Sequence, residues 1–326
     1  MVDTLHPFRF DPIFKRLVWG GRRLSTVLRK PIGEGSEYAE SWELSDHRSD
    51  VSLVADGPFA GATLRDLVRN HGEDLFGPAL GALDQFPLLV KFIDAHQDLS
   101  VQVHPDDAKG RRLANDNGKT ETWVIVHAEP GSKIYAGLKP GTTREAMIAA
   151  IESGTVESLL HSFEARKGDC ILIPAGTVHA IGAGVVLAEF QQMSDATFRL
   201  HDWNRLGLDG KPRQLHIAES LESIDFDAGP VEPVQATVES RPWGIIERLC
   251  RSEYFALQRL TLTSSTTIGD SDRFTIVLGI EGDVEVRSGD HAVTLGLGQT
   301  LLLPASIGPC EVIPQGSATL LTCVVP

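Results

Sequence analysis

Gln102, His104, Glu121 and His179 are side chains whose types and spacing could hold a divalent metal ion. Two imidazoles, one carboxylate and one amide oxygen suit a borderline ion such as zinc. Glu121 would offset only one of the ion's two charges, so the ion could still act as a Lewis acid on a bound hydroxyl or carbonyl. Each residue is ordinary by itself. The weight lies in the spacing and in the Gly-Asp…Pro-x-Gly-x-x-His pattern that ends at His179.

Strands must position these groups. Ser100-Val101-Gln102-Val103-His104 alternates with a period of two, so Ser100, Gln102 and His104 share a face opposite Val101 and Val103. Pro105 ends the ladder and leaves His104 at the strand's mouth. Upstream, Phe86 to Ala95 forms a nearly continuous apolar run interrupted by Lys91. That lysine either snorkels to solvent or is a buried cation awaiting an anion. The Asn115-Asp116-Asn117-Gly118 turn leads into a β-branched and aromatic strand over Lys119 to Val126. A hairpin-like return there could bring Glu121 near His104. Lys167-Gly168-Asp169 opens another strand, and Pro174-Ala175-Gly176 turns the chain to deliver His179. Glu189 lies on a strand over Val185 to Phe190, followed by a run to Arg205 that is unusually dense in polar and aromatic groups. Near the start, Trp42 reads either as core or as part of a site, with Trp19 and Glu40 at the rim.

Helices are few. Thr63 can cap a short helix with Asp66 three residues on, and Thr142-Thr143-Arg144-Glu145 opens a second with a capping-box pattern. Gly154 should stop that one, and a further short helix is expected over Val156 to His161. Residues 228–240 read as a linker. Beyond it, short strands alternate with Gly/Asp/Ser turns, as in a sandwich or small barrel. Gly168 to Ala175 is echoed by Gly298 to Ala305, with no histidine after the second copy where the first has His179. We therefore expect a mainly β protein of two related barrels: residues 1–230 with the metal ligands and helical additions, and residues 231–326 without ligands.

With 326 residues, 42% hydrophobic and 23% charged, the chain has an ordinary globular composition. A formal net charge of −14 argues against nucleic acid and anionic membranes as partners. The four cysteines are scattered, with no zinc-finger spacing, and read as reduced thiols of a cytoplasmic protein. No signal-peptide pattern is visible at the N-terminus, and no apolar run is long enough to span a membrane. A monomer or weak homo-oligomer is expected.

Ser100-x-Gln102-x-His104-Pro105, Gly118-Lys119-Thr120-Glu121 and Pro174-Ala175-Gly176-Thr177-Val178-His179 occur in this order. Together they resemble the type I phosphomannose isomerases of the cupin superfamily, from about Phe8 to Arg205. The resemblance implies two cupin barrels and one zinc per chain on Gln102, His104, Glu121 and His179. It also implies interconversion of mannose 6-phosphate and fructose 6-phosphate through a cis-enediol. It matches Arg199 to an active-site arginine and Glu189 to a glutamate near the reacting carbons. Ser100, Lys91 and Lys119 match positions of the sugar-phosphate pocket, and Trp19 and Glu40 its wall. Proton transfer could fall to Glu189, to a neutral Lys119 or to a metal-bound water. The chain departs from many members at Ile181, where they carry tyrosine, and from some at Val18, where they carry an acidic residue. A metal-dependent cupin dioxygenase and a sugar-phosphate-binding cupin without turnover are the alternative readings.

Overall fold

The computed structural model describes residues 5–48 and 50–326, so the N-terminal expectation for residues 1–4 lies outside it. The first half is organised around a six-stranded antiparallel sheet. Its order is Cys170–Ile173, Glu121–Ala128, Val185–Gln192, Leu88–Ala95, Tyr38–Leu44 and Ile13–Gly21. Both faces are covered, which explains the long apolar runs. Val90, Phe92, Val124, Val186, Ala188 and Phe190 face one core; Ile93, Trp123, Ile125, Ile171 and Leu187 face another. The inner face opposes a five-stranded sheet ordered Leu160–Glu164, Lys133–Leu138, His179–Ile181, Val101–Val103 and Phe198–His201.

The outer core is shared with the second half. Phe76, Phe86 and Phe92 lie in one cluster with Phe255, Phe274, Ile276 and Leu321. The second half has a seven-stranded sheet, Phe8–Arg9, Thr300–Leu303, Thr275–Glu281, Ala318–Val324, Ala256–Leu262, Gly244–Arg251 and Thr237–Arg241. A four-stranded sheet, Thr266–Ile268, Cys310–Pro314, Val284–Ser288 and His291–Leu295, accompanies it. Among the described residues each half is thus built on two large hydrogen-bonded sheets, not on one closed barrel, and the first half adds a two-stranded ladder of Asp46–His47 with Asp50–Val51. Phe8–Arg9 pairs with Thr300–Leu303, so the chain's start is tied to its end.

Local signals explain most element ends. Thr63 and Asp66 form a reciprocal capping box, and the helix runs from Leu64 to Phe76, longer than its opening residues suggest. In the helix Arg144–Ser153 the cap is Thr143, which accepts from the Ala146 amide, and not Thr142. Gly154 ends it in the left-handed region at φ 70°. Over 156–161 the structure corrects the expected helix. Val156–Leu159 is one 3-10 turn, and Leu160–Glu164 is an edge strand recruited by Lys133–Leu138. The end of the expected linker is also a strand, Thr237–Arg241, paired with Gly244–Arg251. All four cysteines are free. Cys170 and Cys250, from different halves, both reach Thr122 Oγ1 at 3.5 Å. No helix among the described residues is long and apolar enough to cross a membrane.

Candidate metal centre and substrate cavity

The gap between the two sheets of the first half holds a cavity of about 280 Å³. Register assembles its walls. On the five-stranded sheet, Gln102 is the direct partner of both His179 and Arg199, so these three stand in a row. On the six-stranded sheet, Glu189 is the direct partner of both Lys91 and Trp123. His104 sits just past its strand, where Gly176 N donates to the His104 carbonyl at 2.8 Å. Gly176 makes that turn at φ 90°, a conformation glycine adopts without steric cost. Trp19 is packed into the wall by Gly20, where a Cβ would stand 2.5 Å from the Ala39 amide nitrogen.

His104, Glu121 and His179 converge, with ligand-type atoms all within 4.8 Å of one another. All three are buried. Each histidine uses Nδ1 on a carbonyl, His104 on Ala196 and His179 on Thr177, both at 2.9 Å. That contact makes Nδ1–H the donor and leaves Nε2 as an acceptor. The Nε2 atoms face Glu121 at 3.3 and 3.4 Å, and Glu121 Oε1 has no hydrogen bond. Acceptors turned toward acceptors in a dry interior call for positive charge, and Lys119 reaches only the His104 side, leaving Glu121 Oε1 facing His179 Nε2. Lys119 Nζ approaches from one side, 2.9 Å from Glu121 Oε2 and 3.1 Å from His104 Nε2. The Gln102 amide nitrogen lies 3.3 Å from His179 Nε2, so its head group borders the cluster. The residues present therefore fit a divalent ion.

The electrostatics favour the same protonation states. Burial and the nearby Lys119 push His104 down to about 3. Burial also lowers His179. For Glu121, burial alone would raise the pKa, but Lys119 and the two imidazoles outweigh it and hold the carboxyl well below its usual range. Neutral imidazoles and an ionised carboxylate are the forms that bind metal.

Beside this cluster lies a second buried network. Lys91 Nζ is 3.2 Å from Glu189 Oε1 and 3.5 Å from Glu40 Oε2. The open question about Lys91 is answered: it is a buried cation with two anions. Burial would lower its pKa, and those carboxylates raise it instead. Trp123 Nε1 donates to Glu189 Oε2 at 3.0 Å, and Trp42 Nε1 donates to Glu40 Oε2 at 2.6 Å. Trp42 is thus core with a polar duty. Burial and the neighbouring Glu121 raise the Glu189 pKa, and Glu189 Oε1 has no hydrogen bond.

Ser100, Lys91, Lys119, Trp19, Glu40, Glu189, Gln102 and Arg199 all line the cavity. Trp123, Asp195, Thr197 and Arg213 line it too and were missed. Arg213 was hidden because nothing local shows that the segment after Trp203 doubles back. Its Nε donates to Asp202 Oδ2 at 2.7 Å, and its Nη2 bonds Oδ1. Arg199 Nη1 donates to the Gln214 carbonyl at 2.9 Å, while its buried Nε has no partner.

The sequence pattern described as phosphomannose isomerase type I, catalytic domain, matches residues 8–120, and that of the mannose-6-phosphate isomerase cupin domain matches residues 245–324. Mannose-6-phosphate isomerase ManA of Bacillus subtilis is 36% identical over 94% of this chain and 95% of its own. The chain belongs to the type I phosphomannose isomerase family. It is an isomerase. Mannose-6-phosphate isomerase of Streptococcus mutans is 32% identical over 94% of this chain and 98% of its own. The crystal structure of the Bacillus subtilis mannose 6-phosphate isomerase superposes with a TM-score of 0.90 at 31% identity, covering 98% of this chain and 99% of that one. A phosphomannose isomerase variant from Salmonella typhimurium, at 17% identity and a TM-score of 0.76, shares the fold over 98% of this chain and 99% of that one. The fold is mainly β and cupin-type.

Proposed function

We propose that this isomerase is zinc-dependent and interconverts mannose 6-phosphate and fructose 6-phosphate through a cis-enediol. The carrying observation is the Glu121 carboxylate facing two acceptor Nε2 atoms in a buried cluster. The family, and the mannose-6-phosphate isomerases of Bacillus subtilis and Streptococcus mutans to which the chain is similar, support the substrate. Gln102, His104, Glu121 and His179 would hold the ion, which when bound would supply a Lewis acid for the oxygens on C1 and C2.

The chain's own residues do the rest. One proton leaves C2 and one is returned to C1, so the carrier must give as readily as it takes. Glu189 is assigned this work, because its raised pKa and its place on the cavity wall suit a shared acid and base. Lys91 and Trp123 hold it still. Lys119 stands 3.7 Å from Glu189 Oε1 and is placed to move a proton between substrate oxygens. Arg199 offers a fixed positive charge to the oxygen that becomes negative. Lys91 and Lys119 already face carboxylates, so the phosphate falls to Ser100 and Arg213 on the cavity wall. Trp19 and Glu40 shape the wall.

We also read residues 1–230 and 231–326 as two cupin jelly rolls, the second without metal ligands. The repeated strand order supports this division, and Phe8–Arg9 crosses it. Free thiols support a cytoplasmic setting.

A coupled assay for mannose 6-phosphate to fructose 6-phosphate, run before and after chelation and zinc readdition, tests the proposal. Activity that the chelator removes and zinc restores is expected. Folded, zinc-replete protein without activity would overturn it.

A further inference from the structure

The second half contains a cavity of about 250 Å³, close in size to the 280 Å³ of the first. It occupies the same place in the repeated strand plan. Leu88–Ala95, Val185–Gln192 and Glu121–Ala128 are neighbours in one half, and Ala256–Leu262, Ala318–Val324 and Thr275–Glu281 in the other. In the companion sheets, Val101–Val103 neighbours His179–Ile181, and Thr266–Ile268 neighbours Cys310–Pro314.

Register converts this likeness into residue pairs. Lys91 faces Glu189, as Gln258 faces Thr322. Glu189 faces Trp123, as Thr322 faces Val277, so Glu121 corresponds to Thr275 two residues earlier. Gln102 faces His179, as Ile268 faces Cys310, so His104 corresponds to Asp270 two residues later. The metal set becomes Ile268, Asp270, Thr275 and Cys310. The buried ion pair becomes an amide and a hydroxyl. One feature is kept: each cavity is walled by a tryptophan from a Trp-Gly pair, Trp19-Gly20 in the first half and Trp243-Gly244 in the second.

The substitutions remove charge without removing hydrogen bonding. Gln258, Thr267, Thr275 and Thr322 line the second cavity with neutral donors and acceptors, and Trp243 supplies an apolar ring. The one charged lining residue is Asp270, whose nearby cation is Arg273 at 3.7 Å. Such a wall repels a phosphate dianion and lacks the two imidazoles that the first cavity turns toward its carboxylate. Its volume of about 250 Å³ lies just below the range of drug-sized ligand cavities, roughly 300 to 1,000 Å³. A nucleotide is too large, while a single sugar ring is matched. Hydroxyls can bond the amide and threonines as the ring's C–H face lies on the indole.

We propose that the second cavity is a binding site for a neutral monosaccharide or sugar alcohol, separate from the isomerase centre. It rests on the paired registers and goes beyond the proposed reaction.

The test is ligand-observed saturation-transfer NMR on the full, zinc-loaded chain with D-mannose, D-fructose and D-mannitol, each at about 20 mM, where millimolar affinities register. The expected result is saturable binding of at least one of them that survives excess mannose 6-phosphate and survives Glu121→Gln. Trp243→Ala should weaken it by about tenfold or more, while kcat/KM for isomerisation stays within about twofold. Should Trp243→Ala fail to fold, the pair Gln258→Leu and Thr322→Val removes the polar wall and is read in the same way. Absence of a signal from all three sugars overturns the proposal. So does binding that mannose 6-phosphate displaces, or that these substitutions leave unchanged. Isomerase turnover is measured separately, so failure of the reaction assignment would not be mistaken for failure here.

Discussion

Lys91 Nζ stands 3.2 Å from Glu189 Oε1, and the two residues are direct partners on adjacent antiparallel strands. Both are buried. Register thus fixes an ammonium beside a carboxylate where neither can turn away to water. Removing one partner of such a pair typically costs about 3–5 kcal/mol, because the other charge is stranded. The network is therefore both a structural commitment and a way to set one carboxyl's proton affinity.

The first prediction concerns that affinity. Burial, the Glu121 charge and the Glu40 charge all raise the Glu189 pKa. Glu189 must be ionised to take a proton from C2, so activity should rise with pH through an acidic limb above the ordinary carboxylate range. Glu40→Gln removes one negative neighbour and leaves Lys91 to Glu189 alone. Both effects lower the Glu189 pKa, so the limb in kcat/KM against pH should move to lower pH. A limb that stays or moves up would contradict the assignment.

Glu121→Gln should empty the metal site. The carboxylate is the sole anionic member of the His104, Glu121, His179 cluster, and an amide cannot offset the ion's charge. We expect zinc content after gel filtration to fall to near zero and kcat to drop by about a thousandfold or more. Retained zinc at the wild-type level would show that the ligands lie elsewhere.

Zinc affinity should be unusually tolerant of acid. Two ordinary imidazoles with pKa near 6.5 would cost more than about fiftyfold in affinity between pH 7 and pH 5.5, through proton competition. Here His104 is pushed down to about 3 and stays neutral over that range, and His179 is lowered as well. Affinity should change by less than about tenfold, as measured by competition with a chelator of known pH dependence. The same shift has a cost for the metal-free chain. Its unfolded state binds the proton first, so stability contributed by neutral His104 is full above 6.5 and is lost as pH falls from there toward 3.

Arg213→Ala should act on binding of the phosphorylated substrate. Asp202 holds the Arg213 guanidinium through Nε and Nη2, leaving Nη1 for an anion at the cavity mouth. KM should rise by about tenfold or more with kcat within about threefold, and inhibition by inorganic phosphate should weaken in parallel. Arg213→Lys should recover part of the loss. A kcat defect with unchanged KM would place Arg213 in the chemistry instead.

Much of this site was legible along the chain because its signals are local. Period-two alternation put Gln102 and His104 on one face, and the run from Phe86 to Ala95 announced a strand covered on both sides. The turn at Pro174 to Gly176 pointed to His179 as a delivered side chain. Caps at Thr63 and Gly154 follow from backbone chemistry within one helical turn. Where competing local signals were close, as between Thr142 and Thr143, the structure gives the cap to Thr143, while the Thr142 hydroxyl donates to the Lys139 carbonyl at 2.8 Å.

Partners were a different matter. Alternation states which face a side chain takes, but not which strand lies beside it. Only tertiary packing set Arg199 next to Gln102, gave Lys91 its two carboxylates and brought Arg213 back to the cavity. It also drew Leu160 and His161, which local preference alone would have left in a helix, into the edge strand Leu160–Glu164. The physical reason is that a strand's own residues satisfy only one side of each hydrogen-bonding and packing contact. The other side comes from chain far away in sequence, and its identity is decided when both faces of a sheet are buried at once.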